Sequence, residues 1–189
     1  MKISIPASKF IKTTLLILFL ILFDTLLLAK IGRSLNEREK RVINAGEKLG
    51  IVQGLSFGSF CINDITRNYR INSNIKLAIL TGTTLTINYF LGKKLGNITS
   101  TRIVSTSPEP LYAMGQGAAY GAIDGAIIGS VSYLSMLTLG YLTNTFEFGY
   151  DQNFGQLARN GIVVGTYLGG SVGLVWGIYG ISISLYIGY

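Results

Sequence analysis

The chain has 189 residues, 24 of them glycine, with 49% hydrophobic residues, only 13% charged residues and a formal net charge of +7. Soluble domains carry about 25% charged residues, so this composition cannot clothe a compact surface in charge, and it points to a polytopic membrane protein. The chain has no histidine, which removes the commonest metal ligand and the usual general base, and its single cysteine, Cys61, excludes an intrachain disulfide and a thiolate zinc cluster.

The first apolar run, Ile11 to Ala29, follows Lys2, Lys9 and Lys12 and precedes Lys30 and Arg33. It is long enough to cross a bilayer, which takes about 20 apolar residues. Residues 1–30 read either as an N-terminal membrane anchor or as a signal-like segment. The run ends in Leu27-Leu28-Ala29, without the small residue that cleavage expects two places before the last alanine. Asp24 lies inside this run, where an exposed carboxylate is costly. Residues 31–189 read as one membrane domain.

Ser34-Leu35-Asn36-Glu37 fits a capping box, and with no proline following it until Pro108 a helix is expected from about Leu35 to Ile62. Its first half is charged, while Leu49 to Ile62 is apolar but short for a crossing. A polar connector, Asn63 to Lys76, leads to a third apolar segment, Leu77 to Gly92, closed by Lys93 and Lys94. A Ser/Thr-rich loop is expected over Gly96 to Pro110, its closing proline suiting a helix start. From Leu111 to Thr143 the chain is apolar except at Gln116 and Asp124. Thr145 to Arg159 is a polar loop, and Asn160 to Tyr189 carries no charged side chain. The expected fold is an all-α polytopic membrane bundle of four to five spans. Basic residues divide almost evenly between the two sides, so the positive-inside rule does not orient it. The strict alternation from Ile181 to Tyr189 and the 11 tyrosines raise a small β-barrel as an alternative. Against it, the last two apolar segments are too long and uniform for strands of about ten residues.

Glycine recurs every four residues in three segments. The first run is Gly46, Gly50, Gly54 and Gly58. The second is Gly117, Gly121, Gly125 and Gly129. The third is Gly161, Gly165, Gly169, Gly173 and Gly177, while Ala78, Gly82 and Thr86 offer a weaker version in the remaining segment. Residues four apart share a helical face. In lipid, helices gain no hydrophobic advantage by associating, so close backbone approach must hold them, and such rows permit it. These glycine zippers either pack helices of the same chain together or present a groove to a partner's helix or a second copy.

Glycine-zippered helices in a basic four-span bundle of this size resemble the mitochondrial inner-membrane translocase family, also called the preprotein and amino-acid transporter family, over about Ile43 to Tyr189. Its signature is an arginine, an aspartate four residues on, then a small residue and glycine. The nearest counterpart here is Arg70, Asn74, Thr81 and Gly82, with asparagine for the acid and threonine for the small residue. The resemblance implies a curved helical sheet within a mitochondrial inner-membrane complex, such as an import subunit or an accessory subunit of respiratory complex I, rather than an enzyme.

Asp124, between Gly121 and Gly125, is the candidate for a polar path, since an intramembrane carboxylate normally faces a bundle interior or a water-filled cavity. It either meets a cationic segment or a cation, or is protonated or hydrogen-bonded and fixes register. Cys61 reads as a packing residue. Asn97-Ile98-Thr99 fits the N-glycosylation pattern, which matters only in a secretory lumen. The basic stretch from Lys30 to Lys48 can attract anionic headgroups, though Glu37, Glu39 and Glu47 offset it. No phosphate loop, nucleophile–base pair or metal cluster is present, and Gly115-Gln116-Gly117 lies in an apolar helix. The expectation is therefore a non-enzymatic membrane subunit without catalytic, cofactor or metal sites and without nucleic-acid binding. Its partners are membrane lipid and the helices of other subunits in a hetero-oligomeric complex. A translocase or channel component and a homo-oligomeric pore are the alternatives.

Overall fold

Four helices dominate the described residues, which are 36–106, 110–149 and 153–188 of this computed structural model. The apolar run at 11–29, with Asp24, lies outside them. Helix α1 spans Glu37–Asn68, α2 Asn74–Thr106, α3 Pro110–Leu142 and α4 Phe154–Gly188; β1 (Arg70–Ile71) and β2 (Phe146–Glu147) are two-residue strands in the connections.

The ends of these helices have local causes. Helix α1 carries Glu37 and Glu39 in its first turn and Arg67 in its last, each placed favourably on the helix dipole. Asn153 and Gln156 cap α4 reciprocally: Gln156 N donates to Asn153 Oδ1 and Asn153 N to Gln156 Oε1, both at 3.0 Å. Helix α3 stops where Asn144 adopts a left-handed φ of 51°, a conformation asparagine tolerates, and Thr145 N then returns to the Gly140 carbonyl at 2.9 Å.

Three helices run further than the sequence suggests, α4 beginning at Phe154 inside the polar loop expected over Thr145 to Arg159. Helix α1 continues past Ile62 to Asn68, and α2 continues through the expected loop at Gly96 as far as Thr106. Polar side chains there return to their own helix instead of competing with it. Thr66 donates to the Ile62 carbonyl at 2.8 Å, Thr101 to Asn97 at 2.8 Å and Ser105 to Arg102 at 2.8 Å. Likewise, the alternating stretch from Ile181 is helical through Gly188, so its period of two does not set the local structure.

The helices pair as two antiparallel hairpins, α1 with α2 and α3 with α4. Both pairings bring glycine against backbone. A Cβ placed on Gly125 would collide with the Gly169 carbonyl, and one on Gly169 with the Gly125 carbonyl; Gly129 with Gly165 and Gly121 with Gly173 repeat this reciprocity. Gly177 meets the Gly117 carbonyl, and at Gly161 a Cβ would stand 3.1 Å from Leu134 N. In the first hairpin Gly50 and Gly92 are reciprocal, Gly46 lies against Gly96 and Ser100, and Gly54 and Gly58 lie against Asn88. Each Cα–H directed at a carbonyl in this way is worth about 0.5–1 kcal/mol.

The hairpin turns meet at one end. Strands β1 and β2 pair antiparallel with Arg70 opposite Glu147 and Ile71 opposite Phe146. Asn72 N donates to the Thr145 carbonyl at 2.8 Å, and Lys76 Nζ donates to the Thr143 carbonyl at 2.8 Å. Behind this clasp lies a core of Phe57, Cys61 and Ile65 from α1, Leu80 from α2, Tyr133, Met136 and Leu137 from α3, and Phe146 with Leu157. The Tyr133 hydroxyl donates to Asp64 Oδ2 at 2.7 Å, tying α3 to α1.

Two stretches, Gly115–Leu142 in α3 and Phe154–Tyr179 in α4, are long and apolar enough to cross a membrane.

Gly125→Leu inserts a branched side chain where the Gly169 backbone cannot retreat, so its cost reaches or exceeds the about 1–3 kcal/mol of ordinary overpacking. Gly82 has nothing within 4 Å of a Cβ. Gly82→Ala is therefore neutral or stabilising, by up to about 1 kcal/mol. Thermal unfolding of the two variants in the same detergent checks the contrast; equal losses would refute it. At the clasp, Phe146→Ala is expected to cost about 3–5 kcal/mol in the same assay.

Candidate functional site

Among the described residues Asp124 is the one buried carboxylate. On α3 it follows Gly121 by three residues and precedes Gly125. Those glycines face α4, which turns the carboxylate toward α2, where Thr99 Oγ1 donates to its Oδ2 at 2.7 Å. One turn along α2, Arg102 lies near enough for its charge to act on Asp124, and its guanidinium sits 5.6 Å from the Tyr120 ring centre.

The carboxylate borders a cavity of about 60 Å³ to which all four helices contribute. Gly46, Gly50, Gly96, Gly117, Gly121 and Gly177 edge it, so both glycine-faced hairpins open onto one space. Its polar lining is Gln53, Thr99, Ser100 and Asp124, while Val42, Leu49, Ile103 and Trp176 make the larger, apolar part of the wall. The buried Nε2 of Gln53 finds no protein acceptor. Ser100 is buried in the notch left by Gly46. Hydroxyls, an amide and a carboxylate lining one half-open cavity can bind water or a small polar solute.

A second polar cluster lies about two turns nearer the clasp. Ser132 Oγ lies 2.6 Å from the Ile128 carbonyl and 2.9 Å from Asn88 Oδ1, so its single proton is shared between two acceptors. Asn88 and Thr84 are wholly buried, and Asn88 Nδ2 and Thr84 Oγ1 have no protein partner. The face α2 turns to α1 is therefore Asn88, Gly92, Gly96 and Ser100. The expected stripe of Ala78, Gly82 and Thr86 is exposed instead. The four-residue period was present in the sequence two places away, where asparagine and serine take the place of glycine.

The other singled-out residues fall elsewhere. Cys61 is fully buried in the clasp-end core. Asn97-Ile98-Thr99 lies within α2, and Asn97 Nδ2 donates to Glu47 Oε2 at 3.2 Å while Lys93 Nζ pairs with Glu47 Oε1 at 3.2 Å. Among the described residues no group of three or more His, Cys, Asp or Glu side chains is placed to hold a metal.

The interhelical contacts also fix heights along the bundle. Lys94 lies between Asn88, bonded to Ser132, and Thr99, bonded to Asp124, which sets it level with the middle of α3. Gly50 opposite Gly92 brings Lys48 to the same height. On α4 this level is bounded by Gly165 and Gly169, among the exposed side chains Val163, Val164, Tyr167 and Leu168.

Thr99→Val removes the donor to a buried carboxylate and is expected to lower stability by about 1–3 kcal/mol. Asp124→Asn, which can still accept from Thr99, should lose less. Denaturant or thermal melts of both variants check the order, and the reverse order would show that Thr99 does not support the carboxylate. Comparison with family models, with curated proteins and with solved structures finds no match to this chain.

Proposed function

We propose that this chain is a non-enzymatic integral membrane subunit that packs into and stabilises a larger membrane complex. The observation that carries the reading is two kinds of surface at one height. Lys48 and Lys94 are exposed on α1 and α2, level with exposed Val163, Val164, Tyr167 and Leu168 on α4. A monomer ringed by lipid would hold ammonium groups against hydrocarbon, which costs several kcal/mol. A monomer in water would expose a long apolar face. A subunit with lipid along α4 and a polar neighbour along α1 and α2 satisfies both.

On this reading the glycine zippers serve the chain's own helices, and docking falls to the outer faces. Helices α3 and α4 cross the membrane. Helices α1 and α2 enter it with shorter apolar stretches, Leu49–Ile62 and Leu77–Gly92, which stop at Lys48 and at Lys93–Lys94 and leave the rest of their height to the neighbour, and the run at 11–29 adds the fifth span. The mitochondrial inner membrane and a respiratory-chain accessory role rest on the family resemblance alone. A second reading, a translocase or channel component, draws support from the Asp124 cavity, where a buried carboxylate meets polar side chains.

The experiment is the mass of the native particle in mild detergent, with co-purifying proteins identified. A defined hetero-complex of several times the mass of the 20.5 kDa chain is expected. A particle of one chain refutes the reading, and a small whole-number multiple without other proteins replaces it with a homo-oligomeric pore. The charge-reversed double variant Lys48→Glu/Lys94→Glu should keep its helical content and leave the complex; full retention there would show that these lysines face no neighbour.

A further inference from the structure

We propose that the cavity beside Asp124 is a binding site for a single alkali-metal ion, held with its remaining water of hydration among Asp124, Ser100, Thr99 and Gln53. A cavity needs about 10–15 Å³ to hold one water-sized particle, so about 60 Å³ accommodates a monovalent ion and a few waters. The space follows from the backbone: the glycines that let the helices approach contribute no side chains, and where the two glycine faces converge nothing fills the centre.

Charge and donor type narrow the occupant. Asp124 is the one ionisable side chain lining the cavity, so the site offers at most one negative charge. Oxygen donors suit hard cations, and a divalent ion normally gathers more carboxylate than this. Hydroxyl and amide oxygens from Ser100, Thr99 and Gln53 supply neutral oxygen donors, while Gln53 Nε2, without a protein acceptor, can donate to a water on the ion. Arg102 is the competing positive charge. Its charge acts on Asp124 and its guanidinium sits over the Tyr120 ring, but it is not among the residues that line the cavity. This site belongs to the chain itself and stands whether or not the chain is a complex subunit.

The test uses the full chain in detergent. Binding of radiolabelled sodium and rubidium is measured at equilibrium with choline as the balancing cation, and the emission of Trp176, the single tryptophan, reports from the cavity wall. Saturable binding of one ion per chain is expected, with an emission change that choline does not produce. Asp124→Asn should weaken it by about tenfold or more, as loss of a charged partner does, and Gln53→Leu by several-fold. Absence of saturable binding, or wild-type affinity in Asp124→Asn, overturns the proposal and assigns the carboxylate's compensation to Arg102 or a proton. Should Asp124→Asn fail to fold, folded Gln53→Leu decides: weakened binding supports the site, and wild-type affinity overturns it.

Discussion

The approach of a glycine Cα to a carbonyl oxygen on the facing helix is the contact on which the rest of the bundle depends. It is made in both directions at Gly50–Gly92, Gly121–Gly173, Gly125–Gly169 and Gly129–Gly165, so each hairpin is held in a single register. A slide by one residue along α3 would bring Asp124, Ala126 or Ser130 to those points, and the backbones would have to part. Register here is decided by what glycine lacks. Individually these contacts are weak, and their strength lies in repetition and in the dispersion gained when two backbones lie flat together.

That register has opposite consequences at the two ends of the bundle. Toward the clasp the facing positions carry Phe57, Ile65, Leu80, Tyr133, Met136, Phe146 and Leu157, and the interior is packed by side chains. Toward the other end glycine occupies the facing positions on all four helices, and the centre stays open beside Asp124. One hairpin's glycines cannot fill a space that the other hairpin's glycines have also vacated. Placing the carboxylate in this opening avoids burying it in dense hydrocarbon, where an unpaired charge is most costly. The polar cavity and the close packing are thus one feature seen from inside and outside.

Much of this was legible before the structure, and what was not has identifiable causes. The four-residue glycine runs pointed to faces on α1, α3 and α4, and Pro110 marked the start of α3, because a missing side chain or a missing N–H leaves a direct trace in sequence. The stripe on α2 lies two residues away from the one that Gly82 suggests, because the face uses Asn88 and Ser100, whose side chains fit notches at Gly58 and Gly46 that only the partner helix defines. The extension of α2 through Gly96 to Thr106 was hidden for a related reason: Ser and Thr favour loops until their hydroxyls bond their own helix. Asp124 stood out by charge alone, but its neighbours Thr99, Ser100 and Gln53 come from two other helices and share no sequence pattern with it. The clasp, two residues per strand, lies below what alternation can signal.

The same register bears on which kind of neighbour the bundle meets. Glu47 takes Lys93 and Asn97, so one charge of each sign is consumed within the first hairpin, and Lys48 and Lys94 remain turned outward. A water-filled path along this hairpin would be expected to carry polar side chains down its length. Toward the clasp, however, the exposed large side chains of α1 and α2 include Val52, Phe60, Ile75, Ile79 and Phe90. The outward polar surface therefore gives way to apolar residues on the clasp side, while away from the clasp it runs on into the charged first half of α1, from Glu37 to Lys48. A continuous aqueous path along the outside of the hairpin would have to cross this apolar half, which leaves the interior beside Asp124 as the place where the bundle brings polar side chains together.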